Sequence, residues 1–363
     1  LDMSLANFIM AVNSQSTTVE PEPEGDGPVV VGTYKSVSNK YVDLTFDKGV
    51  YSSSGGAVTT ANFSITDLVA GGVTVVAIAS VKINNHYTSG SATNLIGGDL
   101  VVRVFLTLTG TPNSTETFRI SATTYYDGVE SISNSATIKL NRTPVMMWDA
   151  LETAAVTTLA LGVSELTDVM GLANFTQATD AQRPIDGGYY VGFNRATPKH
   201  MSAGATQAAY QKGNNFTVAV KRLKSNNSAQ TGYIVSRRGG NANNQGWSIS
   251  VSSDNSLFFV LRTSAAQGFC DYDAFSPNAE INLYFINNNG TLNIRNAAGT
   301  ALGTTGNATA IGTITYTSID LLIGRRMTET TEYWTGYFEK VAIFDSALTT
   351  DEIADVNENF DNL

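Results

Sequence analysis

Three short stretches of this 363-residue chain gather planar polar and aromatic side chains. Arg237 and Arg238 precede Asn241 and Asn244 and lead to Trp247; Phe269, Asp271, Tyr272 and Asp273 flank Cys270; Arg325 and Arg326 are followed by Glu332, Tyr333 and Trp334. Guanidinium, amide and carboxylate groups can each bond a pair of hydroxyls, and aromatic rings offer an apolar face. Side chains of these types together can hold a sugar, rings against its C–H surface and planar groups on its hydroxyls. Arg237, Arg238, Asn241, Asn244, Asp271, Tyr272, Arg325, Arg326, Tyr333 and Trp334 are therefore the candidate ligand residues. A competing reading packs Trp247 and Trp334 in a core and leaves the arginines as solvated rim charges.

Groups for covalent chemistry are scarce. His86 and His200 are the only histidines, which gives a Ser/His/Asp centre or a histidine-rich metal site little to build on. His200, beside Pro198 and Met201, reads as a packing or surface residue. Cys270 has Asp271 and Asp273 close by; neighbouring carboxylates raise a thiol's pKa, so a small buried side chain is the expected role. Hydrolysis of glycosides by alternate carboxylates on one strand takes the form E-x-D-x-x-E. The only E-x-D is Glu24-Gly25-Asp26, with Val29 where the third carboxylate would stand. No G-x-S-x-G elbow or P-loop occurs. Lyase chemistry would have only common Tyr and Arg residues and His200 to use. The chain is expected to be non-enzymatic.

The elements that must position these groups read as strands. Ser, Thr, Asn and Gly are abundant, and Val, Ile, Thr, Tyr and Phe recur in short runs broken by turn residues, an all-β composition. With Lys plus Arg at 22 and Asp plus Glu at 32, the net charge is −10, which argues against nucleic-acid partners. A single cysteine excludes an intramolecular disulfide. No apolar run is long enough for a membrane-spanning helix, and the N-terminus lacks the pattern of a signal peptide, although a first residue of Leu leaves room for a leader already removed.

Residues 1–28 comprise an amphipathic segment, with Leu5, Phe8, Ile9 and Val12 on one helical face, and a Glu/Pro linker from Glu20 to Pro28. The apolar face calls for a partner: another copy of the chain, giving a homo-oligomer, or another protein. Residues 29–143 carry seven short alternating strands, among them YVDLTFDKGVY, VTVVAIASVKI and LVVRVFLTL, the spacing of a β-sandwich. After Pro144 longer strands follow through residue 363, including NFTVAVKRL, GYIVSRR, GWSISVSS, SLFFVLRTS and GYFEKVAIF. Asn289-Gly290 between INLYFINN and TLNIRNA predicts a type I′ hairpin. In GYFEKVAIF, Val341 and Ile343 share one face, and Phe338, Ala342 and Phe344 the other. Thr349-x-x-Glu352 forms a capping box that starts a short helix able to cover the second face.

The words TFDKGVY, ANFSITDL and LTLTGTPNSTETFRISA resemble bacterial immunoglobulin-like repeats, although the Cys and Trp of an antibody domain are absent. The second region resembles the concanavalin A-like, laminin-G-like jelly roll. The resemblance rests on Leu166 to Gly171, Gln177-Ala178-Thr179 with Pro184, Val191 to Asn194, Ile323 to Arg326, and Gly336 to Ile353. It implies an all-β chain: an immunoglobulin-like β-sandwich followed by an antiparallel jelly-roll sandwich, with short terminal helices. Relatives of this kind can hold calcium, and Asp168, Asp186 and Asn194 are the residues that match. Asn194 stands where the family has an acidic residue, which weakens the site, since calcium takes six to eight oxygens, several of them charged.

Together these readings make the chain a non-enzymatic, surface-displayed, carbohydrate-binding or adhesion protein whose partner is a surface glycan. A phage virion component such as a fibre or decoration protein is favoured. The alternatives are a bacterial cell-surface or secreted adhesin, a purely structural virion protein and a polysaccharide-degrading enzyme. In each setting the chain is extracellular.

Overall fold

The computed structural model describes residues 27–126, 129–130, 134–150, 155–159, 162–188, 190–204, 215–225, 231–239, 245–263, 267–276, 279–307, 319–327 and 332–361. The expected N-terminal helix lies outside these residues, as do Asn241 and Asn244.

Between residues 30 and 139 the expected strands form. Val30–Lys35, Tyr41–Val50, Asp99–Gly110 and Val73–Lys82 pair in that spatial order in one sheet, and Phe63–Val69, Thr117–Ala122 and Asn134–Lys139 in another. Period-two alternation turns Val42, Leu44, Val102 and Val104 of the first sheet toward Phe118, Ile120 and Ile138 of the second, and these buried side chains make one core.

Most of the described strands after residue 144 fall into two larger antiparallel sheets, and Ile185–Asp186, Val191–Phe193 and Gly336–Phe338 pair in a small one against Lys224 and Ser225. The front sheet contains, in spatial order, Val156–Leu159, Gly162–Leu166, Phe175–Thr176, Met201–Ser202, Leu322–Ile323, Gly232–Arg238, Gly246–Val251, Leu257–Arg262 and Gln267–Tyr272. The back sheet contains Met146–Asp149, Lys340–Phe344, Asn215–Ser225, Ile281–Asn288, Thr291–Asn296 and Ala301–Asn307. A pairing of Asp271 with Thr304 joins the two at one edge. The Asn289-Gly290 hairpin forms as expected: both residues have positive φ, and Asn288 pairs with Thr291.

Register decides what each face carries. One row across the front sheet places Met201, Ile323, Val235, Ile249, Phe259 and Cys270 side by side, all buried in the core between the sheets. Cys270 is thus the small core residue expected of it. A slip of one residue would expose this whole row.

The outer face of the back sheet is covered. Met147, Ala342, Ala219 and Tyr284 lie in one row across it, and Phe344 beside them. They pack against Ile353, Val356 and Phe360 of the C-terminal helix Thr350–Asp361, and against Val37, Tyr41, Tyr87 and Phe105 from the first sandwich. The helix starts at the predicted capping box. Thr349 N–H donates to Glu352 Oε2 at 2.8 Å, and Glu352 N–H donates to Thr349 Oγ1 at 3.3 Å. Phe338 differs from expectation. The strand breaks at Glu339, so Phe338 turns into the inner core with Val341 and Ile343.

Candidate functional site

The outer face of the front sheet is buried over the strands Gly232–Arg238 and Gly246–Val251, and its side chains reach solvent on the strands Leu257–Arg262 and Gln267–Tyr272. Its central row, one residue out of phase with the core row, runs Glu165, Thr176, Ser202, Leu322, Ser236, Ser248, Val260 and Phe269. Leu322, Ser236 and Ser248 at its centre are buried, and Phe269 stands 51% exposed at one end. A parallel row holds Tyr233, Ser250, Phe258 and Asp271. A third holds Arg238, Gly246, Arg262 and Gln267. The Gly324–Met327 segment crosses one side of this face, where Ser236 Oγ donates to the Arg325 carbonyl at 2.8 Å. Arg326 is set over the Tyr233 ring, its guanidinium carbon 5.1 Å from the centroid, and Glu332 lies 3.7 Å from its Nη2. Ser248 Oγ is fully buried and has no hydrogen-bond partner among the described residues.

Of the candidate ligand residues, Arg238 and Arg326 come together on this face, Asp271 lies apart from them on its edge strand, and Arg325 borders the face. Four others do not belong to the surface. Arg237 alternates to the opposite side of its strand, is fully buried, and donates from Nε to the Ile319 carbonyl at 3.4 Å. Tyr272 packs half-buried against the inner core. Tyr333 is buried with its ring 6.1 Å from that of His200. Trp334 is fully buried, donates from Nε1 to Ser225 Oγ at 3.1 Å, and packs against Phe193 and Phe338. Trp247 is buried against Phe216 in the same core. Residues Gln267–Tyr272 form a strand, and its alternation points Asp271 and Tyr272 apart.

Tyr233, Phe258, Arg262, Ser236 and Ser248 were missed. The signal was present in GWSISVSS and SLFFVLRTS, where strict alternation sets Trp247, Ile249, Leu257, Phe259 and Leu261 on one side and Ser248, Ser250, Phe258 and Arg262 on the other.

His200 sits under the Arg325 and Tyr333 side of this face. Burial, and then the Arg325 charge, push its pKa down to about 4, so the ring is neutral at pH 7. Its Nε2 lies 3.1 Å from Gln177 Nε2, and Gln177 also donates to the His200 carbonyl. The packing role expected of His200 fits this setting.

The calcium candidates are not assembled. Asp168 is buried and accepts from four backbone N–H groups: Met147 and Met170 on Oδ1 at 2.9 Å each, Leu172 and Ala173 on Oδ2 at 2.8 and 3.1 Å. Burial raises its pKa, and these four bonds oppose the rise. The carboxylate is committed to pinning the 168–173 turn to the Met146–Asp149 strand. Asp186 accepts from Gly188 N–H and Asn194 from Ala196 N–H, each capping its own turn at 2.8 Å. Among the described residues no group of three or more His, Cys, Asp or Glu side chains is placed to hold a metal. These three residues do not fit a calcium ion.

Residues 199–354 match the family model of the concanavalin A-like lectin/glucanases superfamily. The second sandwich has the concanavalin A-like fold. The match takes in Ile323 to Arg326 and Gly336 to Ile353, while the motif words before residue 199 lie outside it. No curated protein sequence matches this chain. Among solved structures it is similar to a Trypanosoma rangeli sialidase in complex with sialic acid, at 9% identity and TM-score 0.46, over 72% of this chain and 46% of that one. It is also similar to the binding domain of botulinum neurotoxin serotype G, at 14% identity and TM-score 0.40, over 60% and 51%. The serotype D binding domain aligns at 13% identity and TM-score 0.43, over 59% and 51%. The chain spans about half the length of these structures.

The non-enzymatic expectation is corrected by these findings. The concanavalin A-like superfamily whose model matches residues 199–354 takes in glucanases as well as lectins. The missing E-x-D-x-x-E word removes one arrangement of carboxylates, and glycoside-cleaving sites are built in others.

Proposed function

We propose that the outer face of the front sheet binds carbohydrate. The carrying observation is the in-register meeting of exposed Phe269 with partly exposed Phe258, Arg262 and Asp271 on the strands Leu257–Arg262 and Gln267–Tyr272. Phe258 and Phe269 give apolar surface for a sugar ring. Arg262 and Asp271 give planar groups for its hydroxyls. Membership of the second sandwich in a lectin/glucanase fold class supports the same reading.

In this reading residues 144–363 are the binding unit, and residues 29–143 are an immunoglobulin-like spacer that holds it away from an attachment segment at residues 1–28. That order suits a protein displayed on a surface, a phage virion or a bacterial cell, that engages surface glycans. A glycan array with the full chain tests the proposal. Binding is expected, and Phe269→Ala should weaken it about tenfold or more, the loss of about 1.4 kcal/mol. Incubating the bound glycans with the chain and separating the products shows whether binding leads to cleavage. No binding at millimolar glycan, or binding unaffected by Phe269→Ala and Phe258→Ala together, contradicts the proposal.

A further inference from the structure

We infer that residues 1–15 dock in cis, by the apolar face of Leu5, Phe8, Ile9 and Val12, on the end of the first sandwich that carries Val29, Ile96, Leu100, Tyr126 and Val129. These five are exposed large apolar side chains, and Ile96 is the most exposed at 81%. The backbone from Asp47 to Tyr51 gathers them. Asp47 N–H donates to the Val29 carbonyl at 3.0 Å, Gly98 N–H to the Val50 carbonyl at 2.9 Å, and Tyr51 N–H to the Tyr125 carbonyl at 2.9 Å. Lys48 Nζ lies 5.6 Å from the centre of the Tyr126 ring. Tyr126 pairs with Val129, and Asp99, next to Leu100, pairs with Val50. Asp47 and Tyr51 are four strand steps apart, at most about 14 Å, so one helix can reach across the group. The turn that presents Ile96 is fixed. Asp99 Oδ2 accepts from Ile96 N–H at 3.1 Å and from Gly97 N–H at 3.0 Å. Gly98, at φ +79°, lies so close to Tyr51 that a Cβ would stand 2.7 Å from its Oη. The fold itself therefore holds Ile96 in water.

The chain before residue 27 enters the first sandwich at this end, beside Val29. The connector to the second sandwich leaves from the other end of the Val30–Lys35 strand, where Lys35 and Asn39 bond Asn141. Residues 1–15 hold one charged side chain, Asp2, and no Lys or Arg. Such a segment has no cations for an anionic membrane surface or for nucleic acid, and an amphipathic helix of about three turns is marginal alone in water. An apolar surface supplies what it lacks, as when an amphipathic helix lays its apolar face on a hydrophobic groove. Residues 16–26 can span up to about 35 Å, enough to lay the segment back over Ile96 and Tyr126. A tether of that length gives an effective concentration of about millimolar. That favours this chain's own segment over the segment of a second copy in micromolar protein. A partner that takes up residues 1–15 for attachment must then displace them from this end.

The test is hydrogen–deuterium exchange of the full chain, with Phe8→Asp/Ile9→Asp and Ile96→Asp/Leu100→Asp as the two double variants. Substitution in the segment should speed exchange about tenfold or more at the amides of Ile96 to Leu100, Tyr126 and Val129. Substitution on the sandwich should speed it similarly at residues 5–12. All four side chains lie outside the cores of the sandwiches, so both variants should keep a melting temperature near that of the parent. Light scattering and exchange at two protein concentrations tenfold apart identify the occupant. A monomer mass with protection unchanged on dilution is the expected result. Protection that falls on dilution together with a dimer mass assigns the segment to a second copy and overturns the inference. Exchange at either place that ignores substitution at the other overturns it as well.

Discussion

Phe269 stands half in water on a strand whose next residue, Cys270, is wholly buried. A phenyl ring on a sheet surface forgoes the roughly 1.5 to 3 kcal/mol its burial would contribute, and an isolated case would need no explanation. Here the ring closes a row with Val260, Ser248 and Ser236 and neighbours Phe258, Asp271 and Arg262. That company is what the carbohydrate proposal rests on. Trp334 shows the converse. Its type and its neighbours in sequence suggested a ligand contact, yet its Nε1 is satisfied by Ser225 and both flanking rings are core residues. His200 supplies a prediction at this scale. Its pKa is depressed to about 4 in the fold from a reference of 6.5, so the unfolded chain binds its proton first. The His200 contribution to stability is therefore complete above about pH 6.5 and is lost as pH falls toward 4, by about 3 kcal/mol at most. Denaturant unfolding of the parent and of His200→Asn across that window should show the parent losing stability relative to the variant as pH falls. Parallel curves would contradict the assignment.

At the scale of elements, the local signals were legible. The Thr349-x-x-Glu352 box needs only residues three apart, and the Asn289-Gly290 turn only two, so neither depends on the rest of the fold. The front face depends on register between strands distant in sequence. Ser202, Leu322, Ser236 and Ser248 are side by side through the pairing of four separate segments, and no local pattern contains that information. The same holds for the break at Glu339, where the backbone N–H of Glu339 bonds the Lys221 carbonyl and the carboxylate meets the buried Lys221 ammonium at 2.7 Å. That distant pair sets Phe338 inward, against the alternation of its own strand. Thr349→Ala should cost about 1 kcal/mol in denaturant unfolding, since it removes the N-cap oxygen of the helix that closes the back sheet. Thr349→Ser, which keeps that oxygen, should cost less. Equal losses would contradict the capping account.

Across the whole molecule, the two sandwiches are tied where the back sheet is covered. Arg142 Nε meets Glu352 Oε1 at 2.6 Å, Lys139 Nζ meets Asp355 Oδ1 at 2.7 Å, and Lys40 donates to the Val169 carbonyl at 2.5 Å, around the apolar cluster of Tyr41, Phe105, Phe344 and Phe360. Lys35 is buried beside this seam, bonded to Asn39 and Asn141, and burial lowers its pKa to about 7. The seam and the helix use the back of the second sandwich, and on its front Phe258, Arg262, Phe269 and Asp271 keep side-chain surface in solvent. The central claim is that this front receives the glycan, and hydrogen–deuterium exchange tests it most directly. With the tightest-binding oligosaccharide of the array added in excess, protection should rise in the strands Gly232–Arg238, Gly246–Val251, Leu257–Arg262 and Gln267–Tyr272. Protection confined to the turns around Asp168, Asp186 and Asn194, with those four strands unchanged, would contradict it.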